Sequence, residues 1–231
     1  MMQALNGSLV ALITTMLENC GIDFSSLGKL IDWHINEGTN GIVSVGTTGE
    51  SATVNIEEHV KIIEYTVKHV NKRIPVIAGT GANSTSEARD LTKEACALGA
   101  DFALIVTPYY NKPSQNGLIK HYIELAESAD LPQILYNVPS RTACDLLPST
   151  ASILSDHKNI VGIKEAVSEN ERMRELLAIG RSKENFKIYS GDDPTFFDFL
   201  KMGGDGVISV AANVIPKSIS NIWESFGMNI E

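Results

Sequence analysis

The chain has 231 residues, 43% of them hydrophobic, and a formal net charge of -9. That length and composition suit an ordinary globular protein with a sizeable core. The acidic balance, with no cluster of Lys and Arg anywhere, excludes a nucleic-acid surface. The three cysteines, Cys20, Cys96 and Cys144, are odd in number and widely spaced. They suggest neither a disulfide framework nor a zinc site, and fit a reducing cytoplasm. The start, MMQALNGSLVALITTM, lacks a basic leader and a long apolar run, so no signal peptide is read there. No stretch approaches the roughly 20 apolar residues of a membrane span.

Short runs rich in Val and Ile recur in chain order: SLVALI from Ser8, GIVSV from Gly41, IPVIAG from Ile74, FALIVT from Phe102, QILYNV from Gln133, IVGIK from Ile160, FKIYSG from Phe186 and GVISV from Gly206. Several are continuous rather than alternating, the pattern of strands covered on both faces. Between them lie helical stripes, such as Leu27, Leu30, Ile31 and Ile35, and Val60, Ile63, Val67 and Val70. Ser86 ahead of Glu87, and Pro148 with Ser149, read as helix starts. Strand and helix alternate eight times with no linker or change of composition, which predicts one α/β domain over residues 1–231. The regular spacing favours a (β/α)8 TIM barrel over a doubly wound sheet.

In such a barrel, chemistry belongs to the C-terminal ends of strands and the loops after them. Lys164 ends the sixth strand run. Alternation sets Ile160, Gly162 and Lys164 on one face and Val161 and Ile163 on the other, so Lys164 points into the mouth above a glycine that leaves it room. Desolvated there, its amine would be neutral enough to form a Schiff base with a carbonyl; a buried structural ion pair is the alternative. Tyr136 ends the neighbouring strand and could shuttle protons, or be a barrel tyrosine with a satisfied hydroxyl. Arg141 offers a planar fork for a carboxylate, or pairs with Asp145 at the surface. The loop GTTGES, Gly46 to Ser51, could cradle an anion but is not a P-loop, and GTGANS, Gly79 to Ser84, lacks the third glycine of a dinucleotide fingerprint. The histidines His34, His59, His69, His121 and His157 fall in helical segments without metal-ligand spacing. Glu165, Asp192 and Asp193 read as supporting or loop-capping groups. No metal and no cofactor are expected.

Taken together, GTTGES, TPYYNKPSQ, QILYNVPSRT and GIKEA resemble the dihydrodipicolinate synthase family, among the pyruvate-dependent Schiff-base lyases and synthases. The resemblance runs along essentially the whole chain. It implies that Lys164 condenses with pyruvate, that Tyr136 donates and accepts protons, and that Thr47 and Tyr110 relay them, Tyr110 coming from a neighbouring subunit of a homodimer or homotetramer. It implies that Thr48 and the backbone at Ile208 hold pyruvate, and that Arg141 takes the carboxylate of L-aspartate 4-semialdehyde. Ala52, Asn83, Glu87 and Tyr109 match a lysine-inhibition site, with His59 beside it. Ile56 stands where a histidine is often found, and Thr15 where proline usually follows Thr14. Barrels of this kind need about 250 residues. The chain therefore reads as C-terminally truncated, with the eighth helix incomplete, the family's C-terminal helical segment absent, and Ile222, Trp223 and Phe226 short of packing partners. Two other readings remain open: a sugar-acid aldolase like N-acetylneuraminate lyase, and a non-catalytic barrel that binds a keto acid.

Overall fold

The computed structural model describes residues 5–183 and 185–227. Eight parallel strands close into a barrel in chain order: β1 Gly7–Ala11, β2 Gly41–Ser44, β3 Val76–Gly79, β4 Phe102–Val106, β5 Gln133–Asn137, β6 Ile160–Glu165, β7 Lys187–Ser190 and β8 Gly206–Ser209. Closure comes from β1 pairing with β8, in the register Gly7↔Gly206 through Val10↔Ser209. Each strand falls within or beside one of the apolar runs read from the sequence. The reason is the two-layered burial of the barrel wall. Leu9, Val43, Ile77, Leu104, Ile134 and Ile208 fill the interior, while Val10, Ile42, Ala103, Ile105, Leu135 and Ile163 pack outward against the helices. A strand apolar on both faces loses its alternation and reads as a continuous run.

The helices that cover the barrel are α1 Phe24–Asn36, α2 Ile56–Val70, α3 Thr85–Ala97, α4 Gln115–Ser128, α5 Pro139–Thr142, α6 Pro148–Leu154, α7 Asn170–Ser182, α8 Phe196–Lys201 and α9 Pro216–Gly227. Asp23, Asn55, Ser84 and Ser114 each accept a backbone N–H of their own helix's first turn, a cap worth about 1 kcal/mol. The cap of α3 is thus Ser84 rather than Ser86. Ser84 has the extended backbone that a cap requires, whereas Ser86 lies within the first turn. On α2 the buried face is His59, Ile62, Ile63, Thr66 and Val70, rotated from the expected stripe so that Val60 and Val67 flank it. Thr66 tolerates burial because its hydroxyl donates to the Ile62 carbonyl and lies 3.1 Å from the Ser44 hydroxyl.

Two further expectations are corrected. Strict alternation along β6 fails at its start: Gln133 pairs with Ile160 and Ile134 with Gly162, so one extra residue enters β6. Ile160 therefore packs outward and Val161 inward. From Gly162 onward the alternation that aims Lys164 inward holds. A Cβ at Gly162 would lie 2.6 Å from the Lys187 carbonyl oxygen and 3.2 Å from the Tyr189 ring, so this glycine makes room for the neighbouring strand rather than for Lys164. At the C-terminal side, Ile222, Trp223 and Phe226 do find partners, since all three pack against the outer core. Ser220 in the same helix donates to the Gly38 carbonyl at 2.8 Å. Residues 228–231 lie outside the described residues.

Candidate active site

Tyr136 and Lys164 are register partners at the C-terminal ends of β5 and β6. Both point into the barrel mouth, and Lys164 Nζ lies 4.3 Å from the centroid of the Tyr136 ring. Lys164 is 4% exposed. Burial pushes its amine down from the usual 10.5 to about 8; the Asp193 carboxylate pulls it back up and Arg141 pushes it further down. Burial raises the Tyr136 hydroxyl above its ordinary range, while Arg141 and then the Thr47 hydroxyl draw it down. A lysine in this state supplies a useful fraction of free amine near neutral pH.

Thr47 and Thr48 reach the mouth because the chain turns sharply after β2. Val45 sits at φ 51, a strained value for a β-branched residue, and Glu50 at φ 63 closes the 3-10 turn Thr47–Gly49. The Thr14 hydroxyl anchors that turn by donating to the Gly49 carbonyl at 2.6 Å. Thr15, in place of the expected proline, donates its hydroxyl to the Asp23 carbonyl at 2.6 Å, so the substitution adds a tie within the loop after β1. After β5, the short helix α5 carries Arg141 to the rim. Arg141 makes no ion pair among the described residues, and Asp145 pairs with Arg172 instead, which removes the surface-pair reading of Arg141.

These elements enclose a cavity of about 340 Å³, lined among others by Thr47, Thr48, Tyr136, Arg141, Lys164 and Gly191. A second cavity of about 390 Å³ adjoins it through Thr47, Val138 and Arg141, and is walled by Ala52, Tyr109 and Thr142. Ile208 is fully buried in the barrel interior; Val210, just beyond β8, lines the first cavity. Tyr110 lines neither cavity. It is 88% exposed and held at φ 75, its backbone N–H donating to the Thr142 carbonyl at 3.2 Å.

Of the residues matched to lysine inhibition, Ala52 and Tyr109 border the second cavity, and Glu87 borders a separate surface groove with Ile56. The Asn83 carbonyl accepts from the Asn111 side chain. His59 is corrected: it is 3% exposed, and its Nε2 lies 2.7 Å from the Gly79 carbonyl oxygen, so it braces α2 against β3 rather than bordering an open site. His34 and His121 are likewise buried, and burial lowers both to about 4. His157 lies in the turn before β6 rather than in a helix. Among the described residues no group of three or more His, Cys, Asp or Glu side chains could hold a metal ion.

One contributor escapes a sequence reading. A Cβ on Gly191 would sit 3.0 Å from Lys164 Cε, so this glycine opens the space that Lys164 occupies. Asp193 accepts the N–H groups of Val210 and Ala211 at 3.0 and 2.9 Å, tying the loop after β7 to the one after β8. The SGDD stretch marks the loop, but only the fold shows which of its residues meets Lys164.

The dihydrodipicolinate synthetase family matches residues 4–227. The 4-hydroxy-tetrahydrodipicolinate synthase of Stutzerimonas stutzeri (strain A1501) is 56% identical over 216 residues, 94% of this chain and 73% of that protein. The chloride-inhibited dihydrodipicolinate synthase of Acinetobacter baumannii, solved in complex with pyruvate, superposes with a TM-score of 0.93 at 50% identity, covering 99% of this chain and 78% of that one. The enzyme of Cyanidioschyzon merolae, solved with lysine bound, gives a TM-score of 0.90 at 36% identity, over 96% of this chain and 75% of that one.

Proposed function

From the premise that this chain belongs to the dihydrodipicolinate synthetase family, we propose that it works through a Schiff base between Lys164 and pyruvate. Its activity is that of its relatives, 4-hydroxy-tetrahydrodipicolinate synthesis, a step of lysine and diaminopimelate biosynthesis. The observation that carries the residue assignment is the buried Lys164 amine, held down to about 8, facing Tyr136 across one rung of the barrel wall.

The neutral Nζ attacks C2 of pyruvate to give a carbinolamine. Tyr136 protonates the carbinolamine oxygen, which leaves as water, and the imine forms. Loss of a C3 proton gives the enamine, whose C3 attacks the aldehyde carbon of L-aspartate 4-semialdehyde and forms the new carbon–carbon bond. The amine of that substrate then attacks the imine carbon, closing the ring and releasing Lys164. Thr48, at the turn after β2, holds the pyruvate carboxylate, and the Ile208 backbone on β8 lines the same pocket. Arg141, free of ion pairs among the described residues, takes the carboxylate of the semialdehyde as a planar fork.

Thr47 passes protons between Tyr136 and Tyr110, and Tyr110 reaches the site from a second copy in a homodimer or homotetramer. Its 88% exposure and strained backbone support that reading, as does its absence from the cavities of its own chain. Ala52, Asn83, Glu87 and Tyr109 form a weak lysine site, since Ile56 offers a hydrocarbon where an imidazole would bind. The three free cysteines support a cytoplasmic setting.

The test is turnover of pyruvate with L-aspartate 4-semialdehyde, run beside N-acetylneuraminate cleavage and repeated with added lysine. Condensation with slight lysine inhibition is expected. Cleavage of the sugar acid in place of condensation contradicts the substrate assignment, and strong inhibition contradicts the weak site.

A further inference from the structure

One residue beyond Tyr136 and Lys164, on the same strands, stand Asn137 and Glu165, also register partners. Alternation turns them away from the barrel axis, and both are fully buried. The Asn137 amide donates to both Glu165 oxygens at 3.1 and 3.0 Å and to Asp145 Oδ1 at 2.9 Å. Its own oxygen accepts the Leu146 N–H at 2.9 Å. One side chain thus closes the segment 138–145, which carries Arg141, and ties it to the residue after Lys164. Arg172 of α7 completes the cluster, meeting Asp145 at 2.5 Å and Glu165 at 3.1 Å. The Val167 N–H donates to Glu165 at 2.8 Å, fixing the chain just past the lysine.

Stability alone does not account for this arrangement. A buried charged cluster is commonly no more stabilising than well-packed hydrophobic residues, and burial pushes the Glu165 carboxyl up to about 7 despite its partners. What the cluster secures is position, since all of these bonds but Arg172–Asp145 end on Asn137 or Glu165, next in the chain to Tyr136 and Lys164. We propose that Asn137, Glu165, Asp145 and Arg172 are positioning residues that fix Lys164 against Tyr136 and hold the Arg141 arm at the mouth. This rests on the roles given above to Lys164 and Arg141. The cluster has two separable functions: the Asn137–Glu165 rung sets the lysine, and the Asp145 end sets the arginine arm.

Two readouts separate them: the rate at which borohydride traps pyruvate on Lys164, followed by intact mass, and the KM for L-aspartate 4-semialdehyde. Circular dichroism checks the fold of each variant. Absence of trapping in the unaltered protein overturns the Schiff-base reading itself. With trapping present, Asn137→Ala is expected to slow it at least tenfold and to raise the KM at least tenfold. Asp145→Ala is expected to raise the KM fivefold or more while slowing trapping less than twofold, and Asp145→Asn, which keeps acceptor oxygen, to restore most of the KM. A folded Asn137→Ala with both readouts within twofold of the unaltered protein overturns the proposal. Where Asn137→Ala does not fold, Asp145→Ala decides, and an unchanged KM overturns it.

Discussion

Tyr136 and Lys164 occupy one rung of the β5–β6 ladder, with the lysine nitrogen 4.3 Å from the tyrosine ring centroid. Backbone pairing sets this rung, and the Asn137–Glu165 hydrogen bonds brace the next one. Tyr136→Phe removes the hydroxyl and leaves the ring. It is expected to lower kcat by roughly 10²–10⁴, the usual worth of a positioned proton donor, with an unchanged melting temperature. Steady-state kinetics beside a thermal melt checks this, and a kcat within threefold of the unaltered protein would remove Tyr136 from the proton path.

Gly191 provides a test of geometry. Its hypothetical Cβ meets Lys164 Cε at 3.0 Å and the Ala166 Cβ and Glu165 carbonyl at 3.1 Å. Gly191→Ala is therefore expected to displace the lysine stem, cutting kcat about tenfold, since small misplacements of reacting groups are costly, while the protein stays folded. Full activity in that variant would show that the lysine has room to spare.

Lys164 should also weaken the fold it serves. Its folded value of about 8 lies below the usual 10.5, so the unfolded chain binds the proton more tightly than the folded one. The resulting destabilisation is complete below about pH 8 and fades as pH rises towards 10.5. At 1.36 kcal/mol per unit, it amounts to roughly 3 kcal/mol as an upper bound. Lys164→Met, close in volume and uncharged, is expected to be about 1–3 kcal/mol more stable than the unaltered protein at pH 7, with the gap closing near pH 10.5. Urea unfolding at the two pH values measures it, and a less stable variant at pH 7 would refute the unpaired, desolvated lysine.

The proposed supply of Tyr110 from a second copy makes a prediction about mixtures. Tyr110→Phe and Lys164→Ala should each be nearly inactive alone. Refolded together, they should regain activity, because a mixed dimer holds one site with both an intact lysine and a donated Tyr110. No recovery, in a mixture shown to exchange subunits, would mean that Tyr110 is not donated by a second copy.

Much of this was legible in the sequence, for identifiable reasons. The strands stood out because the barrel wall is apolar on both sides, and Lys164 and Tyr136 because polar groups ending such runs have few places to go but the mouth. What escaped was non-local. The extra residue at the start of β6 depends on the register of β5. The cap of α3 was ambiguous because Ser84, Thr85 and Ser86 are adjacent candidates, and only backbone angles choose among them. Arg172 lies 27 residues from Asp145, on a helix whose pattern gives no sign that it reaches back to the barrel rim. The resemblance set His59 beside a ligand site because nothing in its sequence neighbours reveals that the Gly79 carbonyl lies 2.7 Å away.

The most direct measurement is to incubate the protein with pyruvate and borohydride from about pH 6 to 9, and to map the adduct by peptide mass. The account predicts one pyruvate-derived adduct, on Lys164, formed about tenfold faster per pH unit up to about 8 and levelling off above it, as the amine with a value of about 8 loses its proton. An adduct on another lysine, no adduct on folded protein, or a rate flat across that range would contradict it.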